Sequence, residues 1–145
     1  MVIKQLQNTN LFLDTAPLIY LIEGHFVYQE KLEKLFQLND EGYFKFLTSS
    51  VTLLEVLVKP LKDGETKIVE QYKTILTSAE GINIFEITIS IAVKAAELKA
   101  KYGLRTPDAL QVATSIEHEA DYFLTNDFRL KNVTEVKVIT MADIE

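Results

Sequence analysis

The sequence predicts an α/β fold with helices on both faces of a mostly parallel sheet. Short apolar runs alternate along the chain with longer segments of helical periodicity. No glycine-, serine- or proline-rich linker divides the 145 residues. Strands that alternate with helices of this length are joined by crossover connections, which place successive strands in parallel. We therefore expect a single domain over residues 1–145.

The elements follow in order from the apolar runs and the residues that interrupt them. Five strands are predicted, over residues 10–14, 43–49, 82–87, 121–125 and 135–140. Six helices are predicted between them, over residues 15–24, 28–42, 50–59, 64–81 and 88–103 and from Pro107 onward. This order is typical of a fold built from successive strand–helix–strand units.

The predicted helix ends rest on residues with special backbone chemistry. Pro60 restricts the residue before it, so we expect the third helix to stop before Pro60. Either Thr88 or Ser90 is expected to cap the fifth helix. Thr106 is a good cap for the sixth helix, and Pro107 suits its first position because that N–H has no helical partner.

Four acidic residues follow the predicted strands or begin the helices beside them. Asp14 closes the first strand, and Glu55 lies on the helix after the second strand. Asp108 opens the helix that leads into the fourth strand, and Asp127 follows that strand. In open parallel sheets, functional groups gather outside the carboxyl ends of the strands. We therefore expect the four carboxylates to converge at this edge.

Three of these acids also have a purely structural interpretation. Asp14 suits a helix cap, and Asp108 suits the first turn of a helix, where a negative charge meets the positive end of the helix dipole. Asp127 lies in a Thr-Asn-Asp run with good turn chemistry. Taken one at a time, none of the three identifies a functional site.

Glu55 is harder to explain structurally. Val51, Leu54 and Val58 form an apolar stripe on its predicted helix, and most of the remaining neighbours are apolar as well. Acids in such surroundings are rare unless they are paired, hydrogen-bonded or bound to a metal. We therefore interpret Glu55 as a functional residue.

Four carboxylates at one edge would repel one another and so destabilise the fold. Divalent cations remove this repulsion, and a ligand set made only of oxygen suits Mg²⁺ or Mn²⁺. The net charge of −6 argues mildly against broad nucleic-acid binding. Because two bound divalent cations would neutralise the four acids, the acidic composition remains compatible with a nucleic-acid substrate.

Other kinds of site are disfavoured by what the sequence lacks. There is no cysteine, which excludes thiolate ligands, thiolate nucleophiles and disulfides. Ala16 stands where a haloacid-dehalogenase-type phosphatase needs a second aspartate, and no glycine-rich turn of a nucleotide-binding fold follows a strand. His25 and His118 lie outside the acidic segments, and His118 is expected to be an exposed helix residue.

The apolar runs also bear on where the protein resides. The N-terminus lacks an apolar signal core, and no run is long enough to span a membrane. We expect a soluble cytoplasmic protein that makes no membrane contact.

Four segments of the chain resemble the motifs of the PIN domain family, in that family's order: FLDTAPLIYLIE, LTSSVTLLEVLVKP, LRTPDALQVATS and FLTNDFRL. The most similar members are VapC-type toxins of prokaryotic toxin–antitoxin pairs. The resemblance implies a three-layer α/β/α fold with a parallel sheet of four or five strands. It also implies a Mg²⁺- or Mn²⁺-dependent ribonuclease, in which a metal-activated water attacks the phosphodiester. By the same resemblance the catalytic, metal-binding acids are Asp14, Glu55, Asp108 and Asp127, with Thr15 and Thr125 as supporting hydroxyl residues.

The resemblance further implies an RNA substrate, a cognate antitoxin and a homodimer. The antitoxin groove is expected on residues 24–38 and 63–76, with Phe26, Tyr28, Leu35 and Phe36 as candidates to line it. Packing in the core is an equally good interpretation of these apolar side chains. The alternative function, from a different class, is a catalytically silent PIN-like scaffold that binds a partner protein.

Basic residues flank three of the four acidic segments. Arg105 precedes Asp108, Arg129 and Lys131 follow Asp127, and Lys59 and Lys62 follow Glu55. They are candidates for a positive rim that holds RNA phosphates. The alternative is that they are ordinary surface residues.

Overall fold

The computed structural model describes residues 1–145, with five strands in one parallel sheet of order β3-β2-β1-β4-β5. The strands are β1 (Asn10–Leu13), β2 (Lys45–Ser49), β3 (Ile82–Phe85), β4 (Tyr122–Thr125) and β5 (Lys137–Thr140). The helices are α1 (Thr15–Glu23), α2 (Gln29–Asp40), α3 (Ser50–Lys62), α4 (Thr66–Ser78), α5 (Ile89–Tyr102) and α6 (Thr106–Glu117). Three short 3₁₀ helices cover Ile3–Leu6, Phe128–Asn132 and Met141–Asp143.

The layers follow from the alternation of side chains along the strands. On β1, Leu11 and Leu13 join a core built with α1 to α4, whereas Phe12 joins a second core built with α5 and α6. Phe12 stacks on Phe123 of β4, with ring centroids 5.1 Å apart. Because both faces are buried, the strands are apolar on both sides, as expected for a parallel sheet. This confirms the predicted α/β/α architecture.

The central position of β1 decides which residues meet at the sheet edge. β1 lies between β2 and β4, so the ends of these three strands are adjacent. The backbone N–H of Asp14 continues the ladder by donating to the carbonyl of Leu124 over 3.0 Å. The segments after β1, β2 and β4 therefore emerge side by side.

The third helix runs past Pro60 to Lys62, and the prediction that it stops before Pro60 is wrong. A proline in a helix loses the hydrogen bond of its own N–H and crowds the preceding turn, and here it stands in the last turn of α3. The ring is buried, and the Pro60 carbonyl accepts a hydrogen bond from the N–H of Glu65. Burial of the ring offsets the missing donor.

Two predicted caps are resolved by the side-chain contacts. Thr88 caps α5, since its hydroxyl accepts a hydrogen bond from the N–H of Ile91 over 3.2 Å. For α6 the cap prediction is wrong by one residue. Thr106 is the first helical residue, and Arg105 occupies the cap position without a side-chain bond.

Several residues outside the site lie deeper than the sequence suggested. Leu35 is fully buried in the core, and Phe36 packs on Phe46 with ring centroids 4.6 Å apart. Of the residues considered for the antitoxin groove, Phe26 is the one that is fully exposed. His118 is half-buried rather than exposed, because its ring stacks on Phe85.

The two segments considered for the antitoxin groove pack on different neighbours. Helix α2 packs on α1, whereas α4 packs on α3 and β3. None of the six helices has both the length and the apolar character needed to cross a bilayer.

Candidate active site at the carboxyl edge of the sheet

One cavity of about 520 Å³ opens at the carboxyl edge of the sheet, and all four predicted acids line it. They reach it from four different elements, which are the end of β1, the middle of α3, the first turn of α6 and the segment after β4. The remaining polar residues that line it are Thr15, Tyr20, Arg105, Thr125, Asn126 and Arg129. The strand order thus brings together acids that are up to 113 positions apart in the sequence.

Asp14 is held by hydrogen bonds from both sides of its carboxylate. Its Oδ1 accepts from the N–H of Thr15 over 2.9 Å, and its Oδ2 accepts from the hydroxyl of Thr125 over 2.7 Å. Burial nevertheless raises the pKa of Asp14 to about 6, and the negative charges of Asp108 and Glu55 add to that rise. Asp14 is therefore a carboxylate that a nearby positive charge would stabilise.

Glu55 is half-buried and faces the cavity from α3. Its Oε1 accepts a hydrogen bond from the hydroxyl of Thr15 over 2.8 Å. The apolar stripe that made Glu55 look buried is not the packed face of the helix, because Leu54 is 65% and Val58 is 57% exposed. The residue reaches the cavity, but the reason given for it from the sequence is wrong in part.

Asp108 and Asp127 are each paired with an arginine. Arg105 Nε donates to Asp108 over 3.1 Å. Arg129 holds Asp127 with two bonds, from Nε over 3.0 Å and from Nη2 over 2.7 Å. The hydrogen bond from Arg129 lowers the pKa of Asp127. Both arginines are exposed at the mouth of the cavity.

Of the residues predicted to form the positive rim, two lie at the cavity. Arg105 and Arg129 line the cavity. Lys131 instead contacts Asp143 over 2.6 Å, and Lys59 and Lys62 are exposed near the end of α3, outside the cavity lining. The structure therefore groups the arginines with the acids and places the lysines elsewhere.

Gln111 was missed by the sequence interpretation, although it connects three parts of the site. Its Nε2 donates to the hydroxyl of Thr52 over 2.6 Å and to Asp14 Oδ1 over 3.4 Å, and its Oε1 accepts from the hydroxyl of Ser49. It is buried on α6. The available signal was a long polar side chain within the apolar run ALQVA.

The donor chemistry of the cavity fits a hard divalent cation. The candidate ligands are carboxylate oxygens, which Mg²⁺ and Mn²⁺ prefer, and Asp14 is a carboxylate whose ionised form a cation would stabilise. No group of three acidic, histidine or cysteine side chains is arranged closely enough to enclose an ion by itself. Mg²⁺ usually keeps several waters in its coordination shell and is bound by only one or two carboxylates.

Solved structures with the same fold come from bacterial toxin–antitoxin systems. The VapBC2 structure of Rickettsia felis, bound to a DNA fragment from its promoter, gives a TM-score of 0.73 at 16% identity and covers 90% of this chain and 98% of that chain. A toxin–antitoxin complex from Klebsiella pneumoniae gives 0.69 at 22% identity, covering 90% and 97%. VapC20 of Mycobacterium tuberculosis, a toxin that cleaves the sarcin–ricin loop, gives 0.69 at 15% identity, covering 88% and 98%.

No curated protein matches the chain in sequence. The model of the PIN domain family, in contrast, matches residues 11–136, a range that includes all four acids of the cavity, most of β1 and all of β2, β3 and β4. Because that range is most of the 145 residues, the chain belongs to the PIN domain family.

Proposed function

We propose that this PIN domain protein is a Mg²⁺- or Mn²⁺-dependent ribonuclease and the toxin of a toxin–antitoxin pair. The observation that carries the proposal is the convergence of four carboxylates, from four separate elements, on one cavity. Asp14 and Glu55 have no basic partner, and holding two such acids together is costly without a cation to balance them. Membership of the PIN family and the fold shared with VapC toxins support the same conclusion.

In this proposal the oxygen ligands come from Asp14, Glu55, Asp108 and Asp127. A bound divalent ion would activate a water molecule for attack on the phosphodiester and offset the charge that develops there. Thr15 and Thr125 are supporting residues, since their hydroxyls hold the carboxylates of Glu55 and Asp14.

The two arginines at the mouth of the cavity are proposed to contact RNA phosphates. In the metal-free protein, Arg105 forms an ion pair with Asp108 and Arg129 forms one with Asp127. When those acids bind a cation, the guanidinium groups become available for a phosphate, which they can bind with two parallel hydrogen bonds. The positive rim would then be used only in the loaded site.

A protein partner is part of the same proposal. We propose a cognate antitoxin and a homodimer, and we place the activity in the cytoplasm, where RNA is available. The exposed apolar side chains of Leu54, Val58 and Leu61 on α3 support a protein contact, because such a group rarely stays open to water. Toxin–antitoxin structures of similar fold support an antitoxin as the partner.

The second candidate function is a PIN scaffold that binds a partner protein without cleaving RNA. The observation that favours it is the pairing of two of the four acids with Arg105 and Arg129, which neutralises them without any metal. Under this alternative the cavity acids are structural, and Asp14 and Asp127 serve as the helix caps that they also form.

Metal-dependent cleavage separates the two functions. Purified protein is incubated with a total RNA pool in Mn²⁺, in Mg²⁺ and in excess chelator, and the fragment ends are sequenced. The ribonuclease proposal expects defined fragment ends in either metal and none in chelator. Intact RNA under all conditions, from protein shown to be folded and free of partner, would favour the scaffold.

The toxin assignment has a test of its own. Expression of the chain alone in a bacterium should arrest growth, and a small protein encoded beside it should co-purify with it and relieve the arrest. Normal growth without any such neighbour would overturn the toxin assignment, even if the purified protein cleaves RNA.

A further inference from the structure

Tyr20 lines the same cavity from α1, six residues after Asp14. Its hydroxyl accepts a hydrogen bond from Nδ2 of Asn126 over 2.9 Å. A phenol hydroxyl carries one hydrogen of its own as well as its acceptor lone pairs. No acceptor in the protein takes that hydrogen, so Tyr20 has a free donor beside the acids.

Asn126, which lies between Thr125 and Asp127, occupies an acceptor lone pair of the Tyr20 hydroxyl. The side-chain amide of Asn126 donates a hydrogen bond to the phenol oxygen, while its buried Oδ1 has no hydrogen-bond partner. Buried polar atoms without a partner are uncommon and call for an explanation. With the amide in this orientation, the phenol hydrogen of Tyr20 is unused.

The ring of Tyr20 is held independently of its hydroxyl. It lies against His25 with ring centroids 4.2 Å apart and against Tyr28 at 6.3 Å. These contacts position the ring at the wall of the cavity. The hydroxyl is therefore not needed to keep Tyr20 in place.

We propose that Tyr20 is a substrate-binding residue, whose hydroxyl donates a hydrogen bond to a non-bridging oxygen of the RNA phosphate in the cavity. Asn126 is then a positioning residue that acts through Tyr20. This inference rests on the proposed ribonuclease function. Because its hydroxyl is neutral and has an unused hydrogen, Tyr20 can contact the phosphate without first leaving an acidic partner, unlike Arg105 and Arg129.

The test compares Tyr20→Phe with Tyr28→Phe, its matched control. Both changes remove one phenol oxygen from the same aromatic group, but Tyr28 lies outside the cavity lining. A single-stranded RNA that contains one cleavage site is used for both. Tyr20→Phe should slow cleavage by about 10- to 100-fold, the usual loss for a hydrogen bond to a charged group. The cleavage rate of Tyr28→Phe should stay within about twofold of wild type. The melting temperatures of both variants should lie close to that of the wild type.

Two further readouts distinguish substrate contact from a structural role. Asn126→Ala should slow cleavage in the wild-type background and have little further effect in Tyr20→Phe, since both act through one hydroxyl. A second RNA carries sulfur in place of one non-bridging oxygen at the cleavage site. Because sulfur is the poorer hydrogen-bond acceptor, this replacement should slow cleavage by the wild type more than it slows cleavage by Tyr20→Phe. Additive effects of the two mutations, or an equal sulfur effect in both proteins, would overturn the inference.

Binding of an uncleavable analogue of the same RNA in Mg²⁺, measured by fluorescence anisotropy, keeps the two proposals separate. The wild type should bind, and Tyr20→Phe should bind several-fold more weakly. If the wild type cleaves and binds RNA and Tyr20→Phe matches it in both, only the role of Tyr20 fails. If the wild type neither cleaves nor binds RNA, the ribonuclease proposal fails and the role of Tyr20 fails with it.

Discussion

The hydroxyl of Thr15 donates a hydrogen bond to Glu55 over 2.8 Å, across 40 positions of sequence. The backbone N–H of the same residue donates to Asp14 over 2.9 Å. Thr15 therefore joins the first two acids of the cavity and fixes their relative position. The contact ties the start of α1 to the middle of α3, two elements that the sequence alone does not connect.

Thr15→Val should weaken catalysis more than stability. Valine keeps the shape of threonine but leaves Glu55 without its hydroxyl donor. We expect RNA cleavage to fall by about 10- to 100-fold, as for other residues that orient metal ligands. The free energy of unfolding should fall by only about 1 kcal/mol. Thr77→Val on the exposed face of α4 is the control and should change neither quantity appreciably. Cleavage unchanged in Thr15→Val would mean that the contact does not position Glu55 for the reaction.

The stability of the metal-free protein should fall as the pH rises from about 4 to about 7. The pKa of Asp14 is raised from 3.8 to about 6 in the folded protein, so the folded state binds its proton more tightly than the unfolded state does. The stability is therefore fully present below pH 4 and is lost as the pH rises through 6. The loss is up to about 3 kcal/mol, at about 1.4 kcal/mol per pKa unit.

Urea unfolding in chelator at several pH values measures this effect. Asp14→Asn should flatten the slope between pH 4 and 7, whereas Asp63→Asn, an exposed acid at the end of α3, should leave it unchanged. The same slope in Asp14→Asn as in the wild type would show that burial does not raise the pKa of Asp14 enough to matter.

Mg²⁺ or Mn²⁺ should raise the melting temperature of the wild type. An ion that binds only the folded state stabilises it by mass action, by about 2.7 kcal/mol at a hundred times its dissociation constant. Asp108→Asn should reduce this response because it removes one oxygen ligand with its charge. A full response in Asp108→Asn would indicate that Asp108 is only a helix-start residue, paired with Arg105.

Gln111→Leu should destabilise the protein by about 2–3 kcal/mol. The change keeps much of the volume but removes the amide that bonds Ser49, Thr52 and Asp14, which leaves buried hydroxyls without their partner. Gln37→Leu, on the exposed face of α2, should change the stability by much less. Equal chemical denaturation curves for wild type and Gln111→Leu would contradict a supporting role for the amide.

The layers and the four acids were predictable because each rests on a local pattern. Apolar runs separated by helical periodicity predict the parallel sheet, and the edge rule for such sheets brings the residues after β1, β2 and β4 together. Asp14 and Asp127 could be placed from their positions at the strand ends alone. The cap of α5 was also within reach, since Thr88 has the right chemistry at the right place.

What could not be predicted depends on which elements touch. Gln111 looks like any polar residue on an apolar helix until α6 is laid against the ends of β1 and β2. The exposure of Leu54 and Val58 likewise depends on which side of α3 faces the sheet, and periodicity did not decide between the two sides. Pro60 continues the helix because its ring is buried, a tertiary effect that outweighs the local preference.

Glu55→Gln, assayed for RNA cleavage and for unfolding in the same preparation, tests the central claim most directly. Glutamine keeps the size of the side chain and can still accept the hydrogen bond from Thr15, but it removes the charge. A metal-binding Glu55 predicts a protein that stays folded without metal, with stability equal or higher because repulsion from Asp14 is relieved, and cleavage lower by at least about 100-fold. A variant that stays folded and cleaves RNA at the wild-type rate would contradict the claim that these carboxylates form the active site.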